Sequence, residues 1–281
     1  MNSTLKVWTG LGLATALMGA GLAGCAGEAG EGGEGDAAAT ANGEMGEGEG
    51  GEGEGGEGEG GEGEGGVDIG AASSDPVVYG SALAIVEAHA IAARDAYMIG
   101  KPEAAAEMFA HPVSEVLADM DPVFKELGVA DIKPTLSKAS TAAQKAGNEA
   151  EVETGFDAVI EAVRAASEKA PSSSLGEGAV AAGIVSDQID RAASMYGEAA
   201  GSDSYETYLD GYGFYKAAAS AFERDGDAIL KADGSLHKSI TDALSLLETA
   251  YPGAERPATL EANQGALSGA SSKVKLALPT T

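Results

Sequence analysis

Cysteine, tryptophan and basic residues are scarce in this chain of 281 residues. The single cysteine, Cys25, excludes an internal disulfide and any metal site that needs several thiolates. Lys and Arg together number 17 against 45 Asp and Glu, which gives a formal net charge of −28 at pH 7. Because a strongly acidic protein repels phosphate groups, we expect no nucleic-acid partner.

Motifs of common enzymes are missing as well. The sequence has no His-Glu-x-x-His zinc motif, no Gly-x-Ser-x-Gly nucleophile turn, no phosphate-binding loop and no Gly-x-Gly-x-x-Gly ahead of a predicted strand. No pair of residues at catalytic spacing stands in for them. We therefore expect a protein that is not an enzyme.

The start of the chain carries a signal for membrane attachment. Residues 1–24 combine a basic start, an apolar run and the small pair Ala23-Gly24, features typical of a secretory signal peptide. The stretch Leu22-Ala23-Gly24-Cys25 resembles the lipobox of bacterial lipoproteins. The resemblance implies a diacylglycerol thioether on Cys25, cleavage before Cys25, and acylation of the new amino terminus by a fatty acid such as palmitate.

The expected anchor is therefore the lipidated Cys25, held in the lipid bilayer. The apolar run before it is shorter than the about 20 apolar residues that a spanning helix needs. Sorting rules of the family retain lipoproteins with Asp after the cysteine at the inner membrane. Ala26 in that position implies the outer membrane or the periplasmic face of the cell envelope.

Residues 25–66 predict a flexible acidic tether. Beyond Cys25 this segment is dominated by glycine and glutamate, has no Lys or Arg, and carries a charge of −13. It offers almost no apolar surface to offset the entropy lost on ordering, so we expect disorder. Closely spaced carboxylates could also collect cations, but the simpler interpretation is a solvated spacer.

Residues 67–281 predict one all-α domain, an up-down helical bundle of seven or eight helices. Apolar residues recur at spacings of three and four, and no segment alternates as a strand would. Pro and Gly mark the boundaries. The expected helices begin at Pro76, Pro102 (with breaks at Pro112 and Asp121-Pro122), Pro134, Val152, the end of the Ser172–Gly178 cluster, Tyr205, Gly234 and, more weakly, Ala258.

Two histidines in the first half of the domain are candidate metal ligands. His89 lies on the first predicted helix, and His111 precedes Pro112, with Glu115 one turn further on. Histidine and carboxylate ligands on facing helices are how metal sites in bundles are built, and imidazole suits iron, copper or zinc. The alternative is that both histidines are ordinary core or surface residues.

The stretch from Tyr205 to Phe222 supplies a second set of candidates. Tyr208, Asp210 and Tyr212 carry hard oxygen ligands for ferric iron, although tyrosines at this spacing also form core seams. The same helix contains Gly211 and Gly213, which weaken a helix by up to about 1 kcal/mol each. Such glycines indicate close approach by a neighbouring helix or a ligand.

The combination of a lipobox, a low-complexity spacer and an Ala-rich helical domain resembles the imelysin-like lipoproteins of bacterial iron uptake. The segment Glu87-Ala88-His89-Ala90-Ile91-Ala92 corresponds to the His-x-x-Glu of that family, with Ala92 in place of the glutamate, and Leu244, Leu247 and Tyr251-Pro252 resemble a later part of it. The resemblance implies handling of a metal ion or haem at the cell surface.

Two functions from different classes follow. The first is a membrane-anchored binding lipoprotein that captures iron, copper or haem through His89, His111 and Glu115, with Tyr208, Asp210 and Tyr212 as further ligands. The alternative is a structural lipoprotein that docks an envelope protein partner and binds no small ligand. A broad exposed apolar groove between helices would favour the second.

Overall fold

The computed structural model describes residues 67–279, and this part of the chain is all-helical, with no strand. The signal peptide, Cys25 and the tether lie outside the described residues, so their predictions stay predictions. The helices are α1 (Ile69–Ala72), α2 (Pro76–Met98), α3 (Pro102–Pro112), α4 (Ala118–Leu127), α5 (Lys133–Ala143), α6 (Glu149–Ser167), α7 (Glu177–Gly201), α8 (Tyr205–Ala232), α9 (Gly234–Ala250) and α10 (Gln264–Ala277), with a π-helical turn at Val113–Leu117.

Helix α2 runs through the core and contacts α3, α6, α7 and α8. Its predicted start is confirmed, because the Asp75 carboxylate accepts hydrogen bonds from the N–H groups of Val77 and Val78. Every residue from Ser81 to Ala93 is buried. Its length and composition would suffice to cross a membrane, and 83% of that apolar stretch is buried inside the domain.

The expected break at Pro112 takes the form of a change in helix type. Proline has no N–H to continue the α-helical hydrogen bonds, and α3 passes into the π-helical turn directly after it. A π-turn widens the helix locally and is frequent at functional sites. The second expected break, at Asp121-Pro122, does not occur, because Pro122 lies inside the first turns of the continuous helix α4.

Close packing of α8 explains two of its glycines, as the sequence predicted. A Cβ added to Gly213 would lie 2.6 Å from the backbone oxygen of Ala88 on α2. A Cβ on Gly211 would collide with the hydroxyl of Tyr251, which donates a hydrogen bond of 2.8 Å to the Ala192 carbonyl on α7. Gly213 therefore lets the backbone of α8 contact the backbone of α2, and Gly211 leaves room for the Tyr251 side chain.

The last helix begins later than its apolar pattern predicts. The expectation was a start at Ala258, but residues 258–263 are not helical and α10 begins at Gln264. The side chain of Asn263 accepts a hydrogen bond of 2.9 Å from the N–H of Ala266 and caps the helix at that point. The capping residue, rather than the spacing of apolar residues, determines where α10 begins.

Candidate metal centre

His89 lies in the buried middle of α2 with one ring nitrogen engaged and the other bare. Its side chain is 2% exposed, and Nδ1 lies 2.8 Å from the Ile85 carbonyl oxygen one turn earlier. A carbonyl can only accept, so Nδ1 carries the proton and Nε2 keeps its lone pair. Nε2 has no hydrogen-bond partner among the described residues.

Burial keeps this imidazole neutral. Burial of the ring lowers the pKa of His89 to about 4, the hydrogen bond to Ile85 opposes the shift, and the electrostatic effects of the neighbouring His111 and Arg191 add to it. Two carboxylate oxygens lie 3.5 Å from Nε2. A neutral imidazole with a fixed tautomer is the form that binds a metal ion.

His111, at the end of α3, uses its two ring nitrogens in the opposite way from His89. Its Nε2 lies 3.0 Å from the Glu206 carboxylate on α8, an acceptor that favours the tautomer with the proton on Nε2. Its Nδ1 has no hydrogen-bond partner among residues 67–279 and lies 3.8 Å from the Glu115 carboxylate. The rings of His89 and His111 meet edge to face at 5.9 Å between centroids.

Two carboxylates complete the cluster. Glu115, on the π-turn, and Asp210, on α8, each place an oxygen 3.5 Å from Nε2 of His89. Single donor atoms of His89, His111 and Asp210 lie within 4.8 Å of one another. Four ligands at metal–ligand distances of 2.0–2.2 Å in a tetrahedron are separated by roughly 3.4 Å. The 3.5 Å separations from Nε2 of His89 match this value, and the wider set would need to contract by up to about 1 Å to surround one ion.

The surroundings of the cluster are partly apolar and partly basic. The Phe214 ring packs edge-on against His89 at 5.7 Å, and the Arg191 guanidinium lies 5.8 Å from the Phe214 ring centre, held by Asp187 at 2.9 Å. Asp210 is buried, whereas Glu115 and His111 are about one-fifth exposed. Solvent therefore reaches the cluster from the side of His111.

The structure brings together His89, His111, Glu115 and Asp210 and places the two predicted tyrosines elsewhere. The Tyr208 hydroxyl donates to the Gly253 carbonyl oxygen at 2.8 Å, and the Tyr212 hydroxyl to the Asp95 carboxylate at 2.6 Å. Successive residues of a helix are rotated by about 100°, so residues two apart face nearly opposite directions. Tyr208 and Tyr212 therefore do not share a face with Asp210.

Glu206 is the site residue that the sequence interpretation missed. It lies four residues before Asp210 on α8, the spacing that puts two side chains on one helix face. Its contact with the proton-bearing nitrogen of His111 fits the carboxylate–histidine arrangement that orients metal ligands. The i, i−4 relation to Asp210 was a signal that could have found it.

Comparison with protein-family models, with curated proteins and with solved structures finds no match. The resemblance to imelysin-like lipoproteins therefore stays a prediction, and the geometry of the cluster is what supports a metal centre in this domain.

Proposed function

We propose that this protein binds one transition-metal ion between His89, His111, Glu115 and Asp210. One observation carries the proposal: each histidine directs one ring nitrogen to an acceptor outside the cluster, and its other nitrogen, which has no hydrogen-bond partner among the described residues, faces carboxylates. Unpaired polar atoms in a buried site cost free energy unless a ligand binds them. A divalent cation would bind both imidazole lone pairs, and carboxylates beside them are suitable further ligands.

The donor set favours an ion over haem. Haem on His89 would need the space above Nε2, where the carboxylates of Glu115 and Asp210 lie 3.5 Å away. Two imidazoles with two carboxylates and no sulfur suit iron, copper(II) or zinc rather than copper(I). We propose iron or copper(II) as the cargo, with zinc as the chemical competitor.

We propose that the domain works at the cell envelope, as a lipoprotein on an acidic tether, with its helices in up-down order. The lipobox around Cys25 supports this place. Stable anchoring takes more than one acyl chain, as a lipidated amino-terminal cysteine provides. The Cys25→Ser chain is expected to leave the membrane fraction, whereas the wild-type chain stays in it. Equal partition of both chains would contradict the anchor.

The binding experiment compares Asp210→Asn with wild type in titrations with Fe(II), Cu(II) and Zn(II) at neutral pH. Asp210→Asn keeps the side-chain shape and removes one buried anionic ligand, so affinity is expected to fall about 100-fold, with wild type binding one ion per chain. Asp242→Asn makes the same charge change at an exposed position that pairs with Lys238 and is expected to bind as wild type does. Equal affinity of all three proteins would overturn the proposal.

Glu206 gives a second, smaller effect. Glu206→Ala removes the acceptor that fixes the His111 tautomer and is expected to lower metal affinity about tenfold, the range of such supporting contacts. Glu206→Gln retains an acceptor oxygen, so its affinity is expected to lie between those of wild type and Glu206→Ala. The control Glu223→Ala changes an exposed carboxylate on the same helix. If Glu206→Ala and Glu223→Ala have equal affinities, Glu206 does not orient His111.

A further inference from the structure

A cavity lies on the face of α2 opposite to His89. It has a volume of about 450 Å³ between α2, α6, α7 and α8, and residues of the segment 170–175 also line it. Glu87 lines this cavity and His89 does not; two residues apart on a helix, they are rotated by about 200°. The cavity is therefore separate from the candidate metal centre.

The walls of the cavity are those of a small-molecule site. Its apolar lining includes Leu83 of α2, Val163 of α6, Ile184 of α7 and Leu175. Its volume is within the range of pockets that bind small organic molecules, and such pockets place a few polar groups among apolar walls. The chemistry of those polar groups then decides the class of ligand.

Glu87 is the buried charged residue among those that line the cavity. It is 7% exposed, and its Oε1 accepts a hydrogen bond of 2.9 Å from the Ser220 hydroxyl. The Arg164 guanidinium lies 3.7 Å from the same oxygen and is half exposed. No donor in the described part of the chain is within hydrogen-bond distance of Oε2. A carboxylate oxygen at the wall of a cavity can accept a hydrogen bond from a cationic donor inside it.

We propose that this cavity binds a small organic cation, an ammonium group on a short apolar body, with the ammonium on Glu87. The other charged residues of the lining also favour a positively charged ligand. Arg164 already pairs with Glu87, and Arg224 pairs with Asp225 at 3.0 Å, both guanidiniums being about half exposed. Glu177 also lines the cavity, so its five charged side chains (Glu87, Glu177, Asp225, Arg164 and Arg224) carry a net charge of −1. Glu87 is the buried carboxylate among them, and it is therefore the group that an ammonium inside the cavity would meet.

The experiment titrates the purified full chain, with chelator present, with octylamine, 1-octanol and octanoate. These probes share one apolar body and differ in the charge of the head group. Octylamine is expected to bind at one saturable site at least about tenfold more tightly than 1-octanol, the usual effect of a charged hydrogen bond, with octanoate weakest. Tighter binding of octanoate, or no saturable binding of octylamine, would overturn the proposal.

Variants locate the binding. Glu87→Gln keeps the contact with Ser220 and removes the charge, and it is expected to lose the preference for octylamine over 1-octanol. Glu161→Gln changes an exposed carboxylate on α6 and is expected to keep it. If Glu87→Gln does not fold, Ser220→Ala serves instead, because it frees the other oxygen of Glu87 and is expected to tighten octylamine binding. Unchanged affinity in the folded Glu87 variant, or in Ser220→Ala, contradicts the assignment.

Discussion

Gly213→Ala is expected to destabilise the domain by roughly 2 kcal/mol or more. The added Cβ would lie 2.6 Å from the Ala88 carbonyl oxygen and 3.1 Å from the Ala92 side chain. A backbone oxygen cannot turn aside as a flexible side chain can, so α2 and α8 must separate. Overpacking of this kind costs about 1–3 kcal/mol and occasionally more, which outweighs the helix propensity that alanine adds.

The matched control is Gly197→Ala in the interior of α7. A Cβ there meets no atom within 4 Å, so only the helix propensity changes and the variant is expected to gain up to about 1 kcal/mol. Urea unfolding followed by circular dichroism measures both variants. Because Ala88 adjoins His89, Gly213→Ala is also expected to weaken metal binding. Equal stability of the two variants would mean that α2 and α8 are not in backbone contact at Gly213.

Acid is expected to destabilise the metal-free domain through His89. The folded pKa is about 4 and the ordinary value is 6.5, so between these values the unfolded chain binds a proton that the folded chain does not. Stability is therefore complete above pH 6.5 and is lost as the pH falls toward 4. The difference corresponds to about 3 kcal/mol over the whole window and about 2 kcal/mol by pH 5.

Denaturant titrations with chelator from pH 7.5 to 5 measure this loss. His89→Gln cannot take up a proton and is expected to have a flatter stability profile over the same range. Glu115, Asp210, His111 and Arg191 all face this ring or its charge, so proton NMR of His89 itself is the direct readout. A His89 pKa near or above 6.5 would show that the carboxylates, rather than burial, control its protonation.

Much of the helical layout could be predicted from local signals. Asp75-Pro76 and the Gly100 stop bound α2 as expected, since capping and proline geometry act within a few residues of the chain. The predicted start of α10 at Ala258 was wrong because a weak apolar pattern does not locate the capping residue Asn263. Helix α4 continues through Pro122 because the residues before Pro122 are already helical. That geometry cannot be predicted from the Asp121-Pro122 pair alone.

The sequence allowed the types of the site residues to be predicted, but it was a poorer guide to the directions in which their side chains point. His89 and His111 stood out because histidine is rare in this chain, with three in all. Asp210 was grouped with its tyrosine neighbours, although helix geometry sends Tyr208 and Tyr212 the other way. The π-turn that carries Glu115 depends on the hydrogen bonds around Pro112. That local rearrangement is not encoded in the spacing between His111 and Glu115.

The central claim is that two imidazoles and carboxylates surround one metal ion, and X-ray absorption spectroscopy tests it most directly. The measurement uses purified protein loaded with one equivalent of the ion that it binds most tightly. We predict a first shell of nitrogen and oxygen at roughly 2.0–2.2 Å, with outer-shell scattering from two imidazole rings that falls to one ring in His89→Gln. A shell of oxygen alone, or one that includes sulfur, would contradict the account.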